Sequence, residues 1–320
     1  MYKLFSWYNQ NRRKFWTMVL AIFVIAIIIW RLMFIITENN QTTLSNQSSE
    51  DISENTYNSI YVENTKSAIT GENITTTSKE QISVIDEFIS YCNSGKIQDA
   101  YNLISDECKE EMYPQITNFN EAYYKPVFGN GNKNVSIENW IGNIYKVDFN
   151  EDFLATGKYT KDNTLQDYIT IVTDSEGNSK LNINKYIGRT TMDKTANAED
   201  VNVKITRRDT YMNYEIYTFE VTNNTENSIA LGDIKYLDAS YLADDNDLKY
   251  NAYVSELAQS EIIVTSNSTK TIRIKYFNKY SSTKLIKSLV FPKVILDYET
   301  YQNYGENSFY NKFTQIKFDL

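Results

Sequence analysis

The sequence contains no histidine, and it is poor in cysteine, proline and glycine, with two, three and ten of these among 320 residues. The absence of histidine excludes Ser-His-Asp and Cys-His catalysis, HExxH zinc sites and carboxylate–histidine iron sites. Two cysteines are too few for a four-thiolate zinc site. We therefore expect no metal and no other cofactor, and we interpret the chain as a protein without catalysis.

Charge is distributed unevenly along the chain. Residues 1–37 carry five basic side chains and no acidic one, which leaves 27 of the 32 basic residues and all 41 acidic residues in the remainder. The net charge of that remainder is therefore −14. Because nucleic-acid binding needs a basic face that displaces counterions, this acidic body argues against nucleic acid as a partner.

One long apolar run lies near the N-terminus. Residues 15–30 contain no charge, but at about 1.5 Å per residue they span roughly 24 Å, less than a hydrocarbon core of about 30 Å. Extension to residue 36 gives about 33 Å, so we predict a transmembrane helix over residues 15–36. The residues assigned to this membrane anchor are Phe15, Trp16, Trp30 and Arg31.

The position of Arg31 inside this span leaves two interpretations open. Its guanidinium can snorkel to the outer interface, or it can contact an acidic group of an intramembrane partner. Three basic residues at positions 12–14 precede the span. The positive-inside rule therefore places residues 1–14 in the cytoplasm and the body of the protein outside the cell membrane. The run is longer than the apolar region of a cleaved signal peptide, and no A-x-A-like site follows it, which favours an uncleaved signal anchor.

Residues 37–77 are rich in Ser, Thr, Asn and Glu, lack proline and show no persistent helical or strand period. This composition is typical of a disordered linker. Behind it, apolar residues recur at helical spacing, and Gly95 is expected to end the first helix. After Gly129 the pattern changes to that of antiparallel strands. Helices followed by such strands predict an α+β domain over residues 78–190.

This region resembles the nuclear-transport-factor-like cone fold. The resemblance rests on the helix, glycine turn and second helix of FISYCNSGKIQDAYNLISDECKEEM, followed by the long strands. Members of that family include enzymes, binding modules and scaffolds, and its helices and concave sheet can enclose a pocket. The residues that would line such a pocket are Tyr101, Phe119, Tyr123, Tyr124, Trp140, Tyr145 and Phe149. The alternative is that these side chains are core residues. Family enzymes commonly use Asp with His or Tyr, so the absence of histidine argues against an enzymatic role.

The two cysteines, Cys92 and Cys108, fall in this α+β region. A disulfide between them would close a loop of about 15 residues and stabilise the fold by roughly 3 kcal/mol. A short second helix that runs back along the first would carry Cys108 about two turns away from Cys92. This geometry favours two buried thiols over a disulfide, which stays the alternative.

Residues 191–200 are predicted to form a second linker. Beyond it, about eight strand-like runs separated by turns predict an antiparallel β-sandwich over residues 201–320. FEVTNNT and NSTKTIRIKY resemble strands of the immunoglobulin-like domains attached to many bacterial exported proteins, although the Cys–Trp–Cys set of immunoglobulin domains is absent. The acidic stretch at residues 242–251 does not match the EF-hand pattern, so a solvated loop is favoured over a calcium site.

These features together predict an α+β cone-like domain and an all-β immunoglobulin-like sandwich behind one N-terminal transmembrane helix. The arrangement is similar to scaffold proteins of conjugative and type IV secretion machines. It implies a binding or scaffold protein of the envelope of a Gram-positive-type bacterium. The expected partners are the lipid bilayer, other envelope proteins or further copies of the chain. The alternative is a small-ligand receptor or an enzyme without histidine that uses the cone-domain pocket.

Overall fold

The computed structural model describes residues 76–151, 165–236 and 239–320, and it confirms the predicted α+β class. The predicted membrane span over residues 15–36, with its anchor residues, lies outside the described residues. The predicted linker also lies outside them, except for its last two residues, which begin the first helix. In the described part of the chain, no helix has the length and hydropathy needed to cross a membrane.

Five helices of 4 to 18 residues occupy the described chain before the first strand. They are α1 (Thr76–Asn93), α2 (Ile97–Leu103), α3 (Asp106–Met112), α4 (Ile116–Phe119) and α5 (Lys125–Phe128), and the π-helical turn Asn120–Tyr124 joins the last two. Gly95 follows α1 with a φ of +70°, a conformation that favours glycine, so the predicted helix end is confirmed. Ser105 begins α3, because its side chain accepts a hydrogen bond from the backbone N–H of Cys108 at 3.1 Å.

The helices pack against a sheet that is curled into a half-barrel. Its strands are β1 (Lys133–Ile141), β2 (Ile144–Glu151), β3 (Leu165–Thr173) and β4 (Ser179–Asn182), and they pair antiparallel in that order. Alternate residues such as Ile137, Val147 and Ile169 point to the helices and form one core with Phe88 of α1. A hairpin turn at residues 174–178 joins β3 to β4.

The remaining strands form two sheets. One contains β5 (Tyr186–Ala198), β6 (Val201–Tyr211), β7 (Glu215–Asn223) and β12 (Ser268–Tyr276), in the order β12-β7-β6-β5. The other contains β8 (Ile229–Ala230), β9 (Tyr241–Asp244), β10 (Lys249–Asn251), β11 (Ile263–Val264), β13 (Ile286–Ile295) and β14 (Phe313–Asp319). The short helix α6 (Tyr298–Tyr304) lies between the last two strands.

These two sheets share a second hydrophobic core. Val203, Phe219 and Ile274 come from the first sheet, and Phe291 and Phe318 come from the second. The rings of Phe219 and Phe291 meet edge to face, with centroids 5.3 Å apart. The inward side chains of both sheets therefore bury one another, as the alternating strand pattern requires.

The structure places a strand where the sequence predicts the linker at residues 191–200. β5 continues to Ala198 and pairs with β6 from Tyr186 to Ala198, with irregularities after Tyr186 and after Thr191. Most side chains in this half of β5 are exposed, so the stretch lacks the apolar alternation that would have indicated a strand. The division into domains over residues 78–190 and 201–320 stays a prediction.

Candidate functional site

The aromatic residues predicted to line a pocket pack in or against the core of the half-barrel, with one exception. The four that are buried are Phe119, Tyr123, Tyr145 and Phe149, and the two that pack partly buried against them are Tyr101 and Tyr124. Phe119 and Tyr123 stack with ring centroids 5.8 Å apart. The exception is Trp140, whose ring contacts Tyr168 at 5.6 Å. Tyr168 alternates with the core residue Ile169, so Trp140 lies on the outer face of the sheet.

A buried carboxylate, that of Asp167 on β3, lies beside this aromatic core. It accepts hydrogen bonds from the Tyr123 hydroxyl at 2.9 Å and from the backbone N–H groups of Asn184 and Lys185 at 2.7 and 2.8 Å. Both of these turn residues have positive φ, 57° and 65°. Burial raises the pKa of Asp167, and the hydrogen bonds oppose that shift. Asp167 therefore fixes the turn through which the chain passes from β4 to β5.

A network of three arginines and three carboxylates joins helix α3 to the sheet of β5, β6, β7 and β12. The members of this charged network are Glu110, Glu111, Arg189, Arg207, Asp209 and Arg273. The two glutamates lie at the end of α3, and the other four residues lie on β5, β6 and β12. Helix α3 is thereby tied to three strands of another sheet.

Arg189 lies at the centre of the charged network. Its Nε donates to Asp209 Oδ1 and its Nη1 donates to Glu110 Oε2, both at 2.8 Å. Although burial alone would lower the pKa of Arg189, the hydrogen bond to Asp209 raises it. Arg207 Nη1 and Nη2 reach Glu110 and Glu111 at 3.3 and 3.2 Å. The guanidinium groups thus neutralise carboxylates that could not be buried as isolated charges.

The three carboxylates of the charged network differ in their solvent exposure. The side chains of Asp209 and Glu111 are 0% and 4% exposed, whereas that of Glu110 is 64% exposed. The Tyr211 hydroxyl donates to Glu111 Oε1 at 3.1 Å, and the Tyr186 hydroxyl donates to Asp209 Oδ1 at 3.0 Å. With its charges paired in this way, the network is suited to holding elements together.

A different kind of site extends from the end of α6 to the start of β14, where four large aromatic side chains are exposed. This aromatic surface consists of Tyr304, Phe309, Tyr310 and Phe313, whose exposed fractions range from 36% for Phe313 to 85% for Phe309. The ring centroid of Tyr310 lies 5.3 Å from that of Tyr304 and 3.8 Å from that of Phe309. The rings of Tyr304, Phe309 and Tyr310 are therefore contiguous, and contiguous exposed apolar groups mark interaction sites.

The loop between α6 and β14, which carries Phe309 and Tyr310 of the aromatic surface, is held in place by polar contacts. Asn311 Nδ2 donates to the carbonyl oxygens of Gly305 and Glu306 at 2.7 and 2.9 Å. Lys293 Nζ on β13 donates to Glu306 Oε1 at 2.7 Å. The loop that presents the rings of Phe309 and Tyr310 is thus held by hydrogen bonds to its backbone and by an ion pair with β13.

The acidic stretch at residues 242–251 forms the hairpin of β9 and β10. Asp244 Oδ1 accepts hydrogen bonds from the backbone N–H groups of Asn246 and Leu248 at 2.9 and 3.0 Å, and Oδ2 accepts one from the Tyr250 hydroxyl at 2.8 Å. Among the residues that the structure describes, no group of three or more metal-binding side chains is found. The carboxylate of Asp244 stabilises the turn.

Both cysteines are free thiols, and both are buried. Burial raises the pKa of Cys108 to about 12, and it raises that of Cys92 as well. Because the thiolate is the reactive form, these thiols are chemically inert at neutral pH. This agrees with the buried-thiol interpretation and not with the disulfide.

Comparison with protein-family models, with curated proteins and with solved structures finds no match for this chain. The residues of the sites therefore have to be interpreted from their own geometry. Sequence reasoning did not predict the charged network, in which bonded residues are up to 162 positions apart. It also missed the aromatic surface, although the stretch YETYQNYGENSFYNKF, with its high density of aromatic residues, contains that signal.

Proposed function

We propose that the protein is a membrane-anchored, extracytoplasmic binding or scaffold protein of the bacterial cell envelope. The observation that carries this proposal is the aromatic surface, with Phe309 at its most exposed point. Aromatic side chains are enriched in protein interfaces, because they bury a large area on association. The partners are other envelope proteins or a second copy of the chain, as in a conjugation or secretion assembly.

The buried polar contacts that connect α3 and the β4–β5 turn to the sheets support a scaffold role. The charged network ties α3 to β5, β6 and β12, and Asp167 fixes the turn that leads into β5. In this proposal the helices and half-barrel are a nuclear-transport-factor-like cone domain, and the two facing sheets are an immunoglobulin-like sandwich. A scaffold has to keep its contact surfaces in fixed positions, and buried polar ties of this kind resist relative movement.

The packing of the candidate pocket residues favours binding through the outer surface over a small-ligand receptor or enzyme that uses the cone-domain pocket. The ring of Phe119 meets those of Tyr101 and Tyr123 with centroids 5.9 and 5.8 Å apart. Rings in such contact fill the space around one another, as closely packed core side chains do. The membrane anchor at residues 15–36 and the linker at residues 37–77 would display this body outside the cell.

Photo-cross-linking from the aromatic surface in intact cells tests the proposal. A photoreactive phenylalanine analogue at position 309 is expected to give discrete adducts, whose masses correspond to envelope proteins or to a second copy of the chain. The matched control places the same analogue at Leu248, another large apolar residue that is 59% exposed, on the β9–β10 hairpin. The proposal fails if position 309 yields no adduct, or the same adducts as position 248.

A further inference from the structure

A cleft of about 610 Å³ opens beside the sheet of β5, β6, β7 and β12. Its walls come from β5 and β6 and from the segment that links β12 to β13. A volume of this size lies within the range of roughly 300–1,000 Å³ that is typical of small-molecule sites. The cleft is separate from the aromatic surface and from the core of the half-barrel.

The lining of the cleft is basic, in contrast to the acidic chain. Its basic side chains are those of Arg189, Arg208, Lys279 and Lys284, and its acidic side chain is that of Glu215. Arg189 is already neutralised within the charged network, so Arg208, Lys279 and Lys284 supply the local excess. The net charge of the whole chain is −9. A local excess of positive charge in a concave, partly desolvated site attracts anions.

Lys284 is the best-placed cation in the cleft. Its Nζ donates to Asn278 Oδ1 at 2.7 Å and to the carbonyl oxygen of Lys279 at 2.9 Å, and it lies 4.4 Å from the centroid of the Tyr250 ring. Both acceptors are neutral oxygen atoms. Burial lowers the pKa of Lys284, although the charges of Glu215 and Asp244 oppose this. An ammonium group held in this way gains a charge-assisted hydrogen bond when an anion arrives.

Arg208 is only loosely paired with the acidic residue of the cleft. Its Nη1 lies 3.7 Å from Glu215 Oε1, which is too far for a hydrogen bond. Glu215 Oε2 accepts hydrogen bonds from Asn278 Nδ2 at 2.9 Å and from the Tyr217 hydroxyl at 3.3 Å. The Nε of Arg208 is buried and has no hydrogen-bond partner among the described residues. The donors of Arg208 are therefore not saturated by Glu215.

The cleft also has an apolar side, formed by Ile187, Met192, Leu285 and Ile286. We propose that the cleft binds a small organic anion that carries a carboxylate or phosphate group next to an apolar portion. Lys284, Lys279 and Arg208 would contact the anionic group, and the apolar side chains would cover the remainder. This inference goes beyond the proposed scaffold function and does not depend on it.

Isothermal titration calorimetry on the detergent-solubilised full chain tests this inference. The probes are phthalate, phenyl phosphate and, as a neutral control, benzyl alcohol. At least one anion is expected to bind saturably at a single site, and benzyl alcohol is not. Comparison of the two anions shows whether carboxylate or phosphate is preferred.

Two substitutions assign the binding to the cleft. Lys284→Gln is expected to weaken binding of the anion by roughly tenfold or more, because a charge-assisted hydrogen bond is lost. Lys279→Gln, at an exposed position where folding is not affected, is expected to weaken it as well. The matched control is Lys287→Gln, since Lys287 lies outside the lining and donates to the carbonyl oxygen of Asp245. The inference is overturned if neither anion binds saturably, or if binding to the two cleft variants equals that to the control.

Discussion

Replacing Glu111 with alanine is expected to lower the free energy of unfolding by about 3–5 kcal/mol, the cost of breaking a buried ion pair by removing one partner. The Glu111 carboxylate accepts hydrogen bonds from Arg207 Nη2 at 3.2 Å and from the Tyr211 hydroxyl at 3.1 Å, and Arg273 also donates to it. The Glu111 side chain is only 4% exposed, and its loss leaves Arg207 Nη2 and the Tyr211 hydroxyl without this acceptor. The measurement is urea unfolding of the full chain, followed by far-UV circular dichroism.

The adjacent residue, Glu110, provides a matched control. Both glutamates bind Arg189 and Arg207, but their side chains are 64% exposed for Glu110 and 4% exposed for Glu111. Water can replace the exposed carboxylate, so Glu110→Ala is expected to cost only about 0–1 kcal/mol. Equal losses for the two variants would contradict the assignment of Glu111 as the member of the pair that ties α3 to the sheet.

Replacing Asp167 with alanine is expected to cost about 2–5 kcal/mol, since each buried donor left without an acceptor costs about 1–3 kcal/mol. The variant leaves the Asn184 N–H and the Tyr123 hydroxyl without the carboxylate that accepts them. Lys185 is affected less, because its N–H also lies 3.2 Å from the carbonyl oxygen of Tyr168. The same urea unfolding experiment measures the loss.

Asp174 is the control for Asp167, because its carboxylate also accepts two backbone N–H groups. They are those of Glu176 and Asn178, at 3.0 and 2.8 Å, in a turn on the surface. Those hydrogen bonds lower the pKa of Asp174, whereas burial raises that of Asp167. Asp174→Ala is expected to cost only a fraction of the loss at Asp167, because water can take the place of the carboxylate. Equal losses of stability in the two variants would show that the buried hydrogen bonds of Asp167 do not stabilise the turn between β4 and β5.

Hydrophobic periodicity predicted the elements whose one face is fully buried. In α1, Ile85, Ile89 and Cys92 recur at helical spacing, and all three are buried. In β7, Tyr217 and Phe219 alternate with polar residues and lie in the core between the two sheets. A continuous core on one side imposes a regular apolar pattern on the sequence, and such a pattern can be read without the structure.

The second half of β5 and the charged network lack a comparable signal. Most side chains at positions 191–198 are exposed, and the strand is defined by its backbone pairing with β6. Arg207 and Asp209 have the appearance of a solvated charged face in sequence, although Asp209 is buried beneath Arg189 of the neighbouring strand. The spacing of residues along the sequence shows neither which strands pair nor whether a charged side chain is buried.

The aromatic residues show that the sequence does not distinguish aromatic side chains of a binding site from those of the hydrophobic core. Tyr123 and Tyr145 were candidates for pocket residues, yet their burial is that of core residues. Phe309 and Tyr310 stand out in the structure because they are exposed, a property that a dense run of aromatic residues does not by itself specify. Only the three-dimensional arrangement distinguishes an aromatic interior from an aromatic surface.

The most direct test of the proposed envelope function is the topology of the chain in the membrane. Protease is added to intact, wall-stripped cells whose protein carries one epitope tag before residue 1 and another after residue 320. If residues 15–36 anchor a body that lies outside the cell, the second tag is lost and the first survives on a protected fragment that contains residues 1–36. Survival of the second tag in intact cells, with loss only after the membrane is permeabilised, would contradict the proposal.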